Sequence, residues 1–173
     1  MKIYTFDDKE VNAVNAERAI LEAGHICGVH GGFTFWEQHD IALRFHKRGG
    51  VKESSALRVY REMFEMIEHA IADAKANGGG IITDLMFHLS PPRDSETDNQ
   101  PPAGLLLALR TIAHGVPVVI CTNAEEVGGH HAKEISWIFD GYVTHLGRNC
   151  AFGWVENKDW HKAIKVLEEM SAR

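Results

Sequence analysis

The segment that most constrains this chain is VPVVICT, residues 116–122, an almost uninterrupted apolar run. Such a run is what a central parallel strand requires when helices cover both of its faces. The rest of the sequence supplies matching pieces. Lys2 to Phe6 reads as a first short strand, and Asn12 to Ala23 carries Val14, Ala16, Ala19, Ile20 and Leu21 at helical spacing, with Gly24 as its C-terminal cap. Ile26 to Val29 is a second apolar run. From Ser55 an amphipathic helix places Leu57, Tyr60, Phe64, Ile67 and Ile71 on one face and ends at the NGGG breaker, residues 77–80. Strand Ile81 to Thr83 follows. Ala103 to His114, with Leu105, Leu106, Leu109 and Ile112, reads as a core-packed helix stopped by Gly115. Beyond Gly128-Gly129, Ala132 to Phe139 reads as a helix, Tyr142 to Thr144 and Phe152 to Val155 as short strands, and Lys158 to Met170 as a closing helix. Alternating β and α elements predict an α/β fold, a doubly wound parallel sheet of five strands in flavodoxin-like order.

A chain of 173 residues that is 45% apolar is the size of one domain with one core, so residues 1–173 are expected to form a single unit. Two stretches, about 30–54 and 90–102, read as insertions because neither interrupts a core strand. A net charge of -6 gives no electrostatic footprint for nucleic acid. The opening MKIYTFDDKE has neither the length of apolar sequence for a membrane span nor that for a signal peptide, and a cytoplasmic protein is expected. Cys27, Cys121 and Cys150 lack C-x-x-C spacing and read as reduced thiols rather than a disulfide or zinc framework.

Three strand ends carry chemically useful groups: Asp7-Asp8, Asp84, and Thr122. Each alone has an ordinary reading as a helix cap, a turn residue or a backbone-bonded hydroxyl. Together they mark the carboxyl edge of a parallel sheet, where ligands gather. Carboxylates packed closely repel one another unless a cation neutralises them. With only oxygen donors at these strand ends, the expected cation is Mg²⁺, and the chemistry that suits it is phosphoryl transfer with a carboxylate as nucleophile.

The segments KIYTFDDKEVNAVNAERAILEAGH, GIITDLM and GVPVVICTN together resemble the receiver domain of two-component response regulators. The resemblance implies that Asp84 is the phospho-acceptor and Asp8 a direct Mg²⁺ ligand. It further implies that Asp7 acts near the ion or through its bound water, that Met86 offers a backbone carbonyl, and that Thr122 binds a phosphoryl oxygen. Asp7, Asp8, Asp84 and Met86 are thus the expected metal set, and Asp84, Thr122 and Lys158 the expected catalytic set. The family's active-site lysine has two candidate positions. If Tyr142 to Thr144 is the fifth strand, His145 stands where it belongs; if Phe152 to Val155 is, Lys158 does, without the usual following proline. His88 and Asn123 also replace the family's proline and small residue, and 76 positions separate Asp8 from Asp84, more than a minimal receiver needs. The implied phosphodonor is a histidine kinase or phosphotransfer protein, and homodimerisation is left open.

Other features carry less. Adjacent His130 and His131 point in different directions and do not make a metal pair. The NGGG glycines precede a strand, the reverse of a phosphate-binding loop. Phe33, Phe35, Trp36 and Phe45, with Arg44, Lys47 and Arg48, read as a satellite core or a docking surface. Two alternatives to phospho-acceptance are a non-phosphorylated pseudo-receiver serving protein interaction and a small Mg²⁺-dependent phosphohydrolase.

Overall fold

The computed structural model describes residues 1–7, 9–28, 53–85, 103–123 and 152–172, the side chains of 53–60 excepted. In chain order the elements are β1 (Lys2–Phe6), α1 (Glu10–Glu22), β2 (Ile26–Gly28), α2 (Glu53–Asn77), β3 (Gly80–Thr83), α3 (Ala103–Ala113), β4 (Val118–Thr122), β5 (Phe152–Glu156) and α4 (Trp160–Ser171). The five strands form one sheet in the order β2-β1-β3-β4-β5, and every pairing is parallel. This is the flavodoxin-like arrangement that the alternation of elements predicts. No helix among the described residues is long and apolar enough to cross a membrane.

Side-chain alternation along the strands divides the core between the two faces. Tyr4, Phe6, Ile81, Val118 and Ile120 face α2 and α3, which bring Met63, Ile67, Ala70, Ile71, Leu107 and Ile112. Ile3, Ile82, Val119, Cys121 and Val155 face α1 and α4, which bring Ala16, Ile20, Ala163, Ile164 and Leu167. The central strands β3 and β4 are buried along their whole length. VPVVICT therefore occupies the place its composition demands, and its last residue, Thr122, closes β4 at the carboxyl edge.

Two helix faces differ from the sequence expectation. Phe64 is 48% exposed and Leu106 64% exposed, while Met63, Met66 and Ala74 of α2 and Ala103, Gly104, Ala108 and Thr111 of α3 are buried. In a leucine-rich stretch such as GLLLAL the apolar pattern does not single out a face. Close approach does, since small residues let the helix lie against the sheet. The fifth strand is Phe152–Glu156, one of the two alternatives. Lys158 does not start the last helix: Asp159 is its N-cap, accepting the Lys162 N–H, and Lys158 stands in the preceding turn. Helix 132–139, strand 142–144, His145 and most of the two expected insertions lie outside the described residues.

Candidate functional site

Four groups from separate strand ends meet at the carboxyl edge of the sheet. Asp7 follows β1, Asp84 follows β3, Thr122 ends β4 and Lys158 follows β5. The two carboxylates are each 1% exposed, and Thr122 is fully buried. A carboxylate so buried needs a countercharge and hydrogen bonds to stay ionised. Lys158 provides the charge, its Nζ lying 2.5 Å from Asp7 Oδ2 and 2.8 Å from Asp84 Oδ2.

The remaining oxygens are held by the local chain. Asp7 Oδ1 accepts the Lys9 N–H at 2.9 Å and the Asn12 side-chain amide at 3.1 Å, so the start of α1 fixes this carboxylate. Asp84 Oδ1 accepts the Leu85 N–H at 2.7 Å, and the Asp84 N–H bonds the Phe6 carbonyl at 2.7 Å. That last bond ties the ends of β3 and β1 together, which is why the two acids converge. Thr83 contributes by donating its hydroxyl to the Asp84 carbonyl at 2.8 Å.

Charge balance sets the titration behaviour. Burial pushes the Asp84 carboxyl above its ordinary range and Asp7 adds to this, while the Lys158 ammonium opposes them. Lys158 itself is pulled down by burial, yet the two carboxylates together hold it above the usual lysine value. One ammonium between two buried carboxylates leaves a net negative site. Cys121, one residue before Thr122, is held up to about 12 by burial, which makes it an inert thiol rather than a nucleophile.

The Thr122 hydroxyl is a buried polar group with no hydrogen-bond partner among the described residues. A buried hydroxyl left without a partner costs about 1–3 kcal/mol, so Thr122, at the end of β4, keeps hydrogen-bonding capacity at the edge that carries the acids. Of the residues the sequence places in the site, Asp7, Asp84, Thr122 and Lys158 stand together at this edge. Asp8 and Met86 lie outside the described residues, as does His88. Among the described residues no group of three or more His, Cys, Asp or Glu side chains is arranged to hold a metal ion. The two described carboxylates are hard-oxygen donors of the kind Mg²⁺ prefers, and the cation seen between them is the Lys158 ammonium.

Three contributors were not legible in the sequence. Asn12 steadies Asp7 from five residues away, a spacing that carries no signature. Asn157 adopts a left-handed backbone just before Lys158. Gly104 sits where a Cβ would fall 1.7 Å from the Asp84 carbonyl oxygen, and its N–H bonds the Leu85 carbonyl at 3.0 Å. The first turn of α3 is thereby clamped onto the strand end that carries Asp84. No family model matches the chain, and no curated protein matches it.

Proposed function

We propose that the chain is a receiver-like signalling domain that accepts a phosphoryl group on Asp84. The observation that carries this reading is the convergence of Asp84, Asp7 and Lys158 at the sheet edge where β4 ends in Thr122, whose hydroxyl has no partner among the described residues. A carboxylate oxygen of Asp84 forms a bond to phosphorus as the bond from phosphorus to the donor breaks. The electron pair leaves with the donor group, which takes up a proton, and the product is a mixed anhydride that water later hydrolyses. Lys158 offsets the added charge through its existing contact with Asp84 Oδ2. Thr122 gives its free hydroxyl hydrogen to a phosphoryl oxygen, satisfying a group that burial otherwise penalises.

Asp7 and Asp84, together with Asp8 and the Met86 carbonyl that the family resemblance adds, would hold Mg²⁺. When bound, that ion neutralises charge on the transferred group. The donor in this reading is a histidine kinase or phosphotransfer protein, and the setting is the cytoplasm.

One observation favours a second reading. All four oxygens of Asp7 and Asp84 already have partners, with the ammonium of Lys158 bridging the acids. A site so satisfied can serve as a fixed structural ion cluster, the arrangement of a pseudo-receiver that works by protein contact. Intact-mass measurement after incubation with Mg²⁺ and acetyl phosphate separates the two. The first reading expects a gain of one phosphoryl group in the wild type and none in Asp84→Asn; a wild type that never gains it leaves the pseudo-receiver.

A further inference from the structure

The sheet order sets a problem of reach. Lys158 follows β5, yet its ammonium contacts acids that follow β3 and β1, two and three strands away. Neighbouring strands lie about 4.8 Å apart, so the nearer acid is about 10 Å across the sheet from the β5 axis. Were the chain to continue extended beyond Glu156, Lys158 would leave the carboxyl edge altogether. Instead Asn157 and Lys158 take φ of 63° and 50°, and the Lys158 N–H bonds the Thr122 carbonyl at 3.3 Å. The backbone thus folds inward over the end of β4, and from there the side chain reaches both acids.

Two successive non-glycine residues in the left-handed region are uncommon, and asparagine is among the few that tolerate it. Asn157 is exposed, and its side chain makes no hydrogen bond among the described residues. Among the described residues, this position therefore supplies a backbone conformation rather than a hydrogen bond.

We propose that Asn157 is a positioning residue for Lys158, its left-handed turn aiming the ammonium at Asp7 and Asp84. This rests on the reading of Lys158 as part of the functional site. It adds a residue whose effect passes wholly through the lysine, and it makes backbone conformation, not side-chain chemistry, the property that matters at 157.

The test is trace acylation of the folded protein with acetic anhydride, with modification of each lysine read by peptide mass spectrometry. In the wild type, Lys158, with only 13% of its side chain exposed, labels slowly relative to Lys162 and Lys165 on α4. Asn157→Val, a β-branched residue that resists the left-handed region, raises Lys158 labelling about tenfold while leaving Lys162 and Lys165 unchanged. Asn157→Gly keeps Lys158 within about twofold of wild type, because glycine adopts this conformation without steric cost. Asn157→Ala, less severe than valine, gives an intermediate rise and serves where the valine variant does not fold.

Equal protection in the glycine and alanine variants overturns the proposal. So does a rise shared by Lys162 and Lys165 in the alanine variant, since the residue would then be supporting the fold at large. The assay uses no phosphodonor. A wild type that gains no phosphoryl group therefore counts against phospho-acceptance and leaves the labelling result standing.

Discussion

Lys158→Met is the perturbation that most directly tests the site. It keeps most of the aliphatic stem and removes the charge, leaving Asp7 and Asp84, each 1% exposed, without their shared cation. Breaking a buried ion pair from one side typically costs about 3–5 kcal/mol. Because two carboxylates are stranded, a loss of about 3 kcal/mol at pH 7 is the lower expectation, or about 6–12 °C in melting temperature for a chain of this length. The loss should depend on pH. Burial already holds Asp84 above its ordinary 3.8, and without the ammonium the opposing pull disappears, so the folded-state value rises further. A carboxyl group whose folded pKa exceeds its unfolded one binds more protons when folded. Stability is then full below pH 3.8 and is lost as pH rises through the folded value. The deficit of the variant relative to wild type should accordingly shrink on going from pH 7 to pH 5. Urea unfolding followed by circular dichroism at both pH values measures it, and Lys158→Met in an Asp84→Asn background isolates the coupling. A deficit below about 1 kcal/mol at pH 7, the range of an exposed pair, or one unchanged at pH 5, would refute the claim that this ammonium holds buried charge.

Thr122→Val exchanges the unpartnered hydroxyl for a methyl group of similar size, so the variant should be as stable as wild type or about 1 kcal/mol more stable. On the proposed phospho-acceptor reading, the same variant should gain a phosphoryl group more slowly from acetyl phosphate, read by intact mass over time. Gly104→Ala drives a Cβ to within 1.7 Å of the Asp84 carbonyl, and the forced shift should cost about 1–3 kcal/mol in thermal or urea melts. Leu106→Glu, on the 64% exposed face of α3, should change stability by less than about 0.5 kcal/mol, which would confirm that the buried face is that of Leu107 and Ala108.

Patterns set by local physics were legible in the sequence. An apolar run without polar alternation has only one comfortable place in an α/β protein, and VPVVICT and GIIT occupy it as β4 and β3. Acids and hydroxyls at the ends of such strands share an edge because parallel strands all point the same way. Asp7, Asp84 and Thr122 can therefore be grouped from the sequence alone. Which face a helix buries was harder to read where apolar residues crowd together. In α3 the discriminating residues are Gly104, Ala108 and Thr111, chosen for how closely the backbone must approach and not for hydrophobicity.

The lysine shows why the site was only partly legible. Its identification depended on which of two short segments is the fifth strand, and each is too brief for periodicity to decide. Even with β5 fixed at Phe152–Glu156, the amphipathic pattern of the following segment drew Lys158 into the helix, since WHKAIKVLEEM continues it without a break. Asp159 marks the true boundary, because its side chain caps the helix by accepting the Lys162 N–H at 3.0 Å. That leaves only Asn157 and Lys158 to cross from the strand to the cap. Two residues suffice if both turn left-handed, and asparagine is one of the few residues that make such a turn affordable. The pair Asn157-Lys158 thus held the missing information in a conformational preference, which no charge count or spacing rule reads.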